Sequence, residues 1–122
     1  MNKREVEKSA ILEDNILDEK GCYQGYNKLY VILLSKSPNK ELTKELIKEH
    51  VLFLHKLEKN NKLVLCGPFS DYDGGMIIIK AASISEAKEI ALSDPFVING
   101  VEKYEVRTWE LSCESNNHMG IL

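Results

Sequence analysis

From residue 28 onward, apolar positions fall into blocks whose spacing changes from strand-like to helix-like and back. "KLYVILLS" is apolar at nearly every position, as expected of a strand covered on both faces. "SPN" turns the chain, and a helix is predicted from about Glu41 to Lys59. There Leu42, Leu46, Ile47, Val51, Leu54 and Leu57 follow the spacing of one buried helical face. "NNK" ends that helix. "LVLCGP" reads as a second strand closed by Gly67-Pro68, "SDYDGG" as a turn, and "MIIIKAAS" as a third strand paired antiparallel with the second. "SISEAKEIALSD" opens with a capping box, Ser83 with Glu86, and predicts a helix of two to three turns. "EKYEVRTWEL" alternates as a fourth strand.

The order is β-α-β-β-α-β, an α+β fold of the ferredoxin-like type: a four-stranded antiparallel sheet with both helices on one face. Strands that are apolar on both sides leave the other face in need of cover. A second copy of the chain, sheet against sheet, supplies it, so a homodimer is expected. Outside this domain, taken as 28–111, lie a charged extension (1–27) and a polar tail (112–122). The extension predicts a helix over roughly 3–17, broken by Gly21 and Gly25, and either docks or stays mobile. The tail is polar enough to be disordered or peripheral.

Composition narrows the partners. The chain is 43% hydrophobic and 29% charged with a net charge of −3. It has no cationic surplus to attract nucleic acid or an anionic membrane. Its apolar runs are far too short to cross a bilayer, and the N-terminus lacks the apolar core of a secretory signal, so a soluble cytoplasmic protein is expected. Cys22, Cys66 and Cys113 are widely separated and odd in number, with no CxxC and no zinc-like spacing. They are read as reduced thiols, and no metal or cofactor is called for.

Two residues could carry chemistry. His50 lies four residues from Leu46 and four from Leu54, so it points inward with the apolar face. It is either a core histidine bonded to a carbonyl or a general acid or base. His55 lies on the solvated side. Asp94, in "SDPFVING", sits where the second helix should end, against the negative end of its dipole. Followed by proline, it leaves the helical region and can form an Asx turn. Paired with His50, it could instead hold an imidazole tautomer, the usual way to build a base. Cys66, ahead of Gly67-Pro68, reads as a small packed thiol, since a nucleophile there would need a nearby cation. Gly74-Gly75 lacks the strand–helix setting of a phosphate loop and is assigned to the hairpin. Trp109, Phe53 and Tyr104 read as core or interface aromatics.

An inward His50, Gly67-Pro68, Gly74-Gly75, Asp94-Pro95-Phe96 and a closing Trp109, in this order, resemble the YciI-related (YCII domain) family over about 28–111. The resemblance implies a dimeric α+β barrel with one pocket per protomer and an active-site His and Asp, which match His50 and Asp94. Cys66, Gly67, Pro68 and Phe96 would shape the pocket. Family members often have serine where this chain has Cys66, a departure that would alter pocket polarity. The family shares its fold with muconolactone isomerase and includes a chlorohydroquinone dehydrochlorinase. The expectation is a cofactor-independent enzyme moving protons on a small organic substrate. The alternative is a module that uses the same pocket only to bind a small ligand or a protein.

Overall fold

The computed structural model describes residues 26–120; the helix expected over roughly 3–17 and Cys22, expected as a reduced thiol, lie outside them. Leu29–Trp109 form one compact unit, and described residues up to Lys28 and from Glu110 belong to a second. Strand β1 (Lys28–Lys36) leads to helix α1 (Lys44–Lys59), the hairpin of β2 (Leu63–Pro68) and β3 (Gly75–Ile79), helix α2 (Ile84–Leu92), a single turn α3 (Pro95–Ile98) and strand β4 (Glu102–Glu110). The sheet order is β2-β3-β1-β4, with β3 antiparallel to both of its neighbours. This is the split βαβ arrangement that the pattern predicts.

Local signals set the element ends. Thr43 caps α1 by accepting the Leu46 N–H at 3.2 Å, so the helix starts at Lys44 and not at Glu41. Glu45 in its first turn and Lys56 and Lys59 in its last complement the helix dipole. Ser83 caps α2 by accepting the Glu86 N–H at 3.1 Å. The Glu86 carboxylate turns back to the backbone N–H of Ala82, the residue before the cap, and not to that of Ser83 itself, and it accepts from Lys62 Nζ at 2.7 Å. That bond and the Lys62 charge hold the Glu86 carboxyl below its usual range. At the β2–β3 turn Gly74 has φ +114, and an added Cβ would sit 2.0 Å from the Leu34 carbonyl oxygen. Only glycine meets both constraints.

The core lies between the sheet and its helices, where Tyr30, Ile32, Ile77 and Ile79 meet Leu57, Ala87 and Ala91. Ile32 and Ile79 are fully enclosed. Leu42, Ile47 and Val51 depart from the expected buried stripe and remain partly exposed. They edge an open cavity beside the sheet, so no core closes over them. On the sheet's other face Leu29, Val31 and Ile78 are buried in the single chain, while Leu65 and Trp109 are exposed. β2 contains an irregularity between Leu63 and Leu65, after which Leu65 pairs with Ile78 and Cys66 with Ile77. One inserted residue exchanges the faces of all that follow.

Of the two alternatives expected for the tail, disorder does not hold: Glu114–Met119 form exposed 3₁₀ turns, because the Asn116 side chain accepts from Cys113 N at 2.9 Å and donates to the Leu111 carbonyl at 2.8 Å. The expectation of reduced thiols is corrected at Cys113. Cys113 is disulfide-bonded, whereas Cys66 is a free thiol. Spacing along a chain says little about which cysteines meet in space.

Candidate active site

α1 and the α2–α3 junction together build the site. α2 ends at Leu92 with Ser93 as its cap, so Asp94 is not the last residue of a helix. It is the first of the next turn: in extended conformation, it caps α3, with Pro95 at the first helical position. Its Oδ1 accepts the Phe96 N–H at 2.9 Å, the Asx turn that the Asp-Pro pair predicts. The unfavourable dipole placement expected from sequence is thereby reversed.

The same oxygen lies 2.8 Å from His50 Nδ1. An oxygen already accepting from a backbone amide takes Nδ1–H as a second donor, which leaves Nε2 as the bare nitrogen of a neutral ring. Asp94 is 1% exposed, and its Oδ2 is buried without a partner among the described residues. The His50 side chain is 14% exposed. Phe96 stacks on the imidazole with ring centroids 4.0 Å apart and planes tilted by 9°. Stack and hydrogen bond fix the ring from its face and its edge, and each is worth roughly 1 kcal/mol.

His50 and Phe96 border a cavity of about 480 Å³. Leu34, Leu54 and Ile77 line it, and Cys66, Gly67 and Pro68 form the wall from β2. The six residues singled out in the sequence thus gather at one place, five on the cavity and Asp94 behind His50. Cys66 is exposed and not the packed residue expected; partial desolvation and the nearby Glu58 carboxylate raise its thiol above the ordinary value. That is the opposite of what a nucleophile needs. His55 is solvated, 69% exposed and 3.7 Å from Glu58, as its helical position predicts. Among the described residues no group of three or more His, Cys, Asp or Glu is arranged to hold a metal ion, and no helix is long and apolar enough to cross a membrane.

One cavity residue escaped the sequence reading. Glu102, at the start of β4, is 6% exposed and borders the same space. Burial raises its carboxyl above the usual range, the negative charge of Asp94 adds to the effect, and His50 opposes it. The signal was in the alternation: Glu102 is in phase with Tyr104 and Val106, the inward positions of β4.

Comparison with known proteins bears on the family and the fold. The profile of the YCII-related domain matches residues 28–110. Over 83 residues the chain is 34% identical to Uncharacterized protein YjpA of Bacillus subtilis (strain 168), covering 68% of this chain and 98% of that one. Among solved structures it is similar to 5-chloro-2-hydroxyhydroquinone dehydrochlorinase (TftG) of Burkholderia phenoliruptrix AC1100 in complex with 2,5-dihydroxybenzoquinone. The TM-score is 0.52 at 22% identity, over 67% of this chain and 93% of the other, which shows a shared α+β fold. On the family match and the YjpA alignment together, the chain belongs to the YCII-related family.

Proposed function

We propose that the protein is a cofactor-independent enzyme that moves protons on a small organic molecule, with His50 as the acid–base group and Asp94 as the residue that positions it. The observation that carries this reading is the 2.8 Å contact between His50 Nδ1 and Asp94 Oδ1 at the wall of an apolar cavity. Nδ1 is engaged on the buried side, and Nε2 is the nitrogen left for a substrate. A core histidine would have no use for a cavity beside it, and a solvated one would need no buried carboxylate. Asp94 holds the tautomer and stabilises the imidazolium that forms when Nε2 takes a proton. The dehydrochlorinase, at 22% identity, lends the fold and not its reaction.

The test is proton exchange at carbon. Small cyclic ketones and enol lactones are incubated with the protein in D2O, and deuterium incorporation is followed by NMR. The wild type is expected to catalyse exchange, and His50→Asn to lose about 10²–10⁴-fold of the rate, the usual contribution of a positioned acid or base. A pocket that only binds would give ligand shifts without exchange. Exchange that survives in His50→Asn would refute the assignment.

The working unit in this proposal is a homodimer joined through the sheet face opposite the helices, where Leu65 and Trp109 are exposed. Sedimentation should give a species of twice the chain mass that Trp109→Lys converts to a monomer; a monomeric wild type would contradict it. The cytoplasm is the compartment we assign. The exposed free thiol of Cys66 suits a reducing medium, and the Cys113 disulfide is the feature at odds with it.

A further inference from the structure

We infer that Glu102 is the proton donor of this pocket, aimed at an oxygen of the substrate while His50 works as the base, and that the substrate class is therefore a neutral carbonyl compound. The inference rests on the proposed role of His50 and adds a second group to it. Glu102 is more than nine-tenths buried, borders the cavity and has no hydrogen-bonding side-chain partner among the described residues. Among the described residues only Asp94 Oδ2 is a fully buried side-chain atom without a partner, so the Glu102 carboxyl opens to the cavity, while the burial of the residue still disfavours its charged form. Two acidic groups interact here, Glu102 from β4 and Asp94 from the α2–α3 junction, and a third, Asp73 from the β2–β3 turn, lines the same cavity. The ionisable groups facing Glu102 are Asp94, which disfavours its negative form, and His50, which favours it. Among the described residues no Lys or Arg borders the cavity.

Two consequences follow from that charge pattern. An anionic ligand, a carboxylate or phosphate, would enter a site that already holds negative charge and offers no cation to meet it. A neutral molecule with a carbonyl or hydroxyl oxygen has the complementary need, a hydrogen-bond donor. His50 Nε2, bare when the ring is neutral, cannot supply one; the O–H of a neutral Glu102 can. The reaction then balances without a co-reactant. Nε2 takes a proton from carbon, the C–H electron pair moves toward the carbonyl, and the oxygen takes the Glu102 proton. Return of the His50 proton to another carbon of the conjugated system and of the hydroxyl proton to Glu102 completes an isomerisation.

Cyclohexanone, ¹³C-labelled at the carbonyl, is the probe, with cyclohexanecarboxylate as the anionic control, and the full chain is used throughout. In the wild type the bound carbonyl resonance should move in the direction of hydrogen-bond donation, and the carboxylate should not bind. Glu102→Gln keeps an N–H donor but cannot transfer a proton, so it should retain binding and the carbonyl shift. Its α-carbon exchange should nevertheless fall by about 10²-fold. Glu102→Leu should lose the carbonyl shift and bind roughly tenfold more weakly, the scale of one hydrogen bond. His50→Asn separates this inference from the one beneath it, because it should lose exchange while keeping the carbonyl shift. If Glu102→Leu keeps both the shift and the affinity of the wild type, or if Glu102→Gln exchanges at the wild-type rate, Glu102 is not the donor. If only His50→Asn behaves contrary to expectation, the base assignment fails and the donor stands.

Discussion

At the scale of single residues, the chemistry depends on where a few polar groups fall within an otherwise apolar pattern. His50 was legible because helical spacing from Leu46 and Leu54 sets it inward. Asp94 was legible as a turn former and misplaced by one element: the backbone leaves the helix at Ser93, and Asp94 opens the next turn. Glu102 could have been found, since it shares the inward phase of Tyr104 and Val106 on β4. Its position has a consequence for stability. A carboxyl held above its unfolded value binds a proton in the folded chain that the unfolded chain has already released. The stability this adds is complete below the ordinary carboxylate range, near 4.3, and is lost as pH rises through the elevated folded value. Urea midpoints of the wild type should therefore fall from acid to neutral pH relative to those of Glu102→Gln, which has no proton to lose there. Parallel curves for the two proteins would show that Glu102 titrates alike in both states.

Whole elements were the most legible level, because strands and helices repeat a signal several times. Four strands and two helices follow from apolar spacing, from the Ser83 cap and from the Gly-Pro and Gly-Gly breaks, whereas the Thr43 cap that starts α1 went unread. Two features of the elements leave no such trace. The irregularity between Leu63 and Leu65 decides that Cys66 shares a face with Ile77 at the cavity, and no residue type there announces it. Likewise, nothing in the α1 periodicity separates side chains that seal a core, such as Leu57, from Ile47 and Val51, which wall an open space. The β2–β3 turn is the opposite case, because its sequence is dictated by geometry. Gly74→Ala places a Cβ against the Leu34 carbonyl at a φ of +114. It should cost at least about 1–3 kcal/mol by denaturant unfolding, the range for one strained backbone position. A loss below a few tenths of a kcal/mol would mean that the turn rearranges freely.

At the scale of the molecule, the fold's contribution is to bring together residues that the chain keeps apart. His50 and Asp94 are 44 residues apart in sequence and 2.8 Å apart in space, and Glu102 approaches the same cavity from an edge strand. Sequence could suggest that the split βαβ order places such residues on one side of the sheet, but their separation comes only from packing. α1 must lie at the correct depth over the sheet, and the short α3 turn must start at Asp94. The central claim is that this arrangement makes His50 a base by holding its proton on the buried nitrogen. ¹⁵N NMR of histidine-labelled protein reads that directly, in the wild type and in Asp94→Asn. The neutral His50 ring should carry its proton on Nδ1 with Nε2 bare, and Asp94→Asn should release it to a mixture of tautomers. A wild-type ring protonated at Nε2, or a tautomer unchanged by the substitution, would contradict the account.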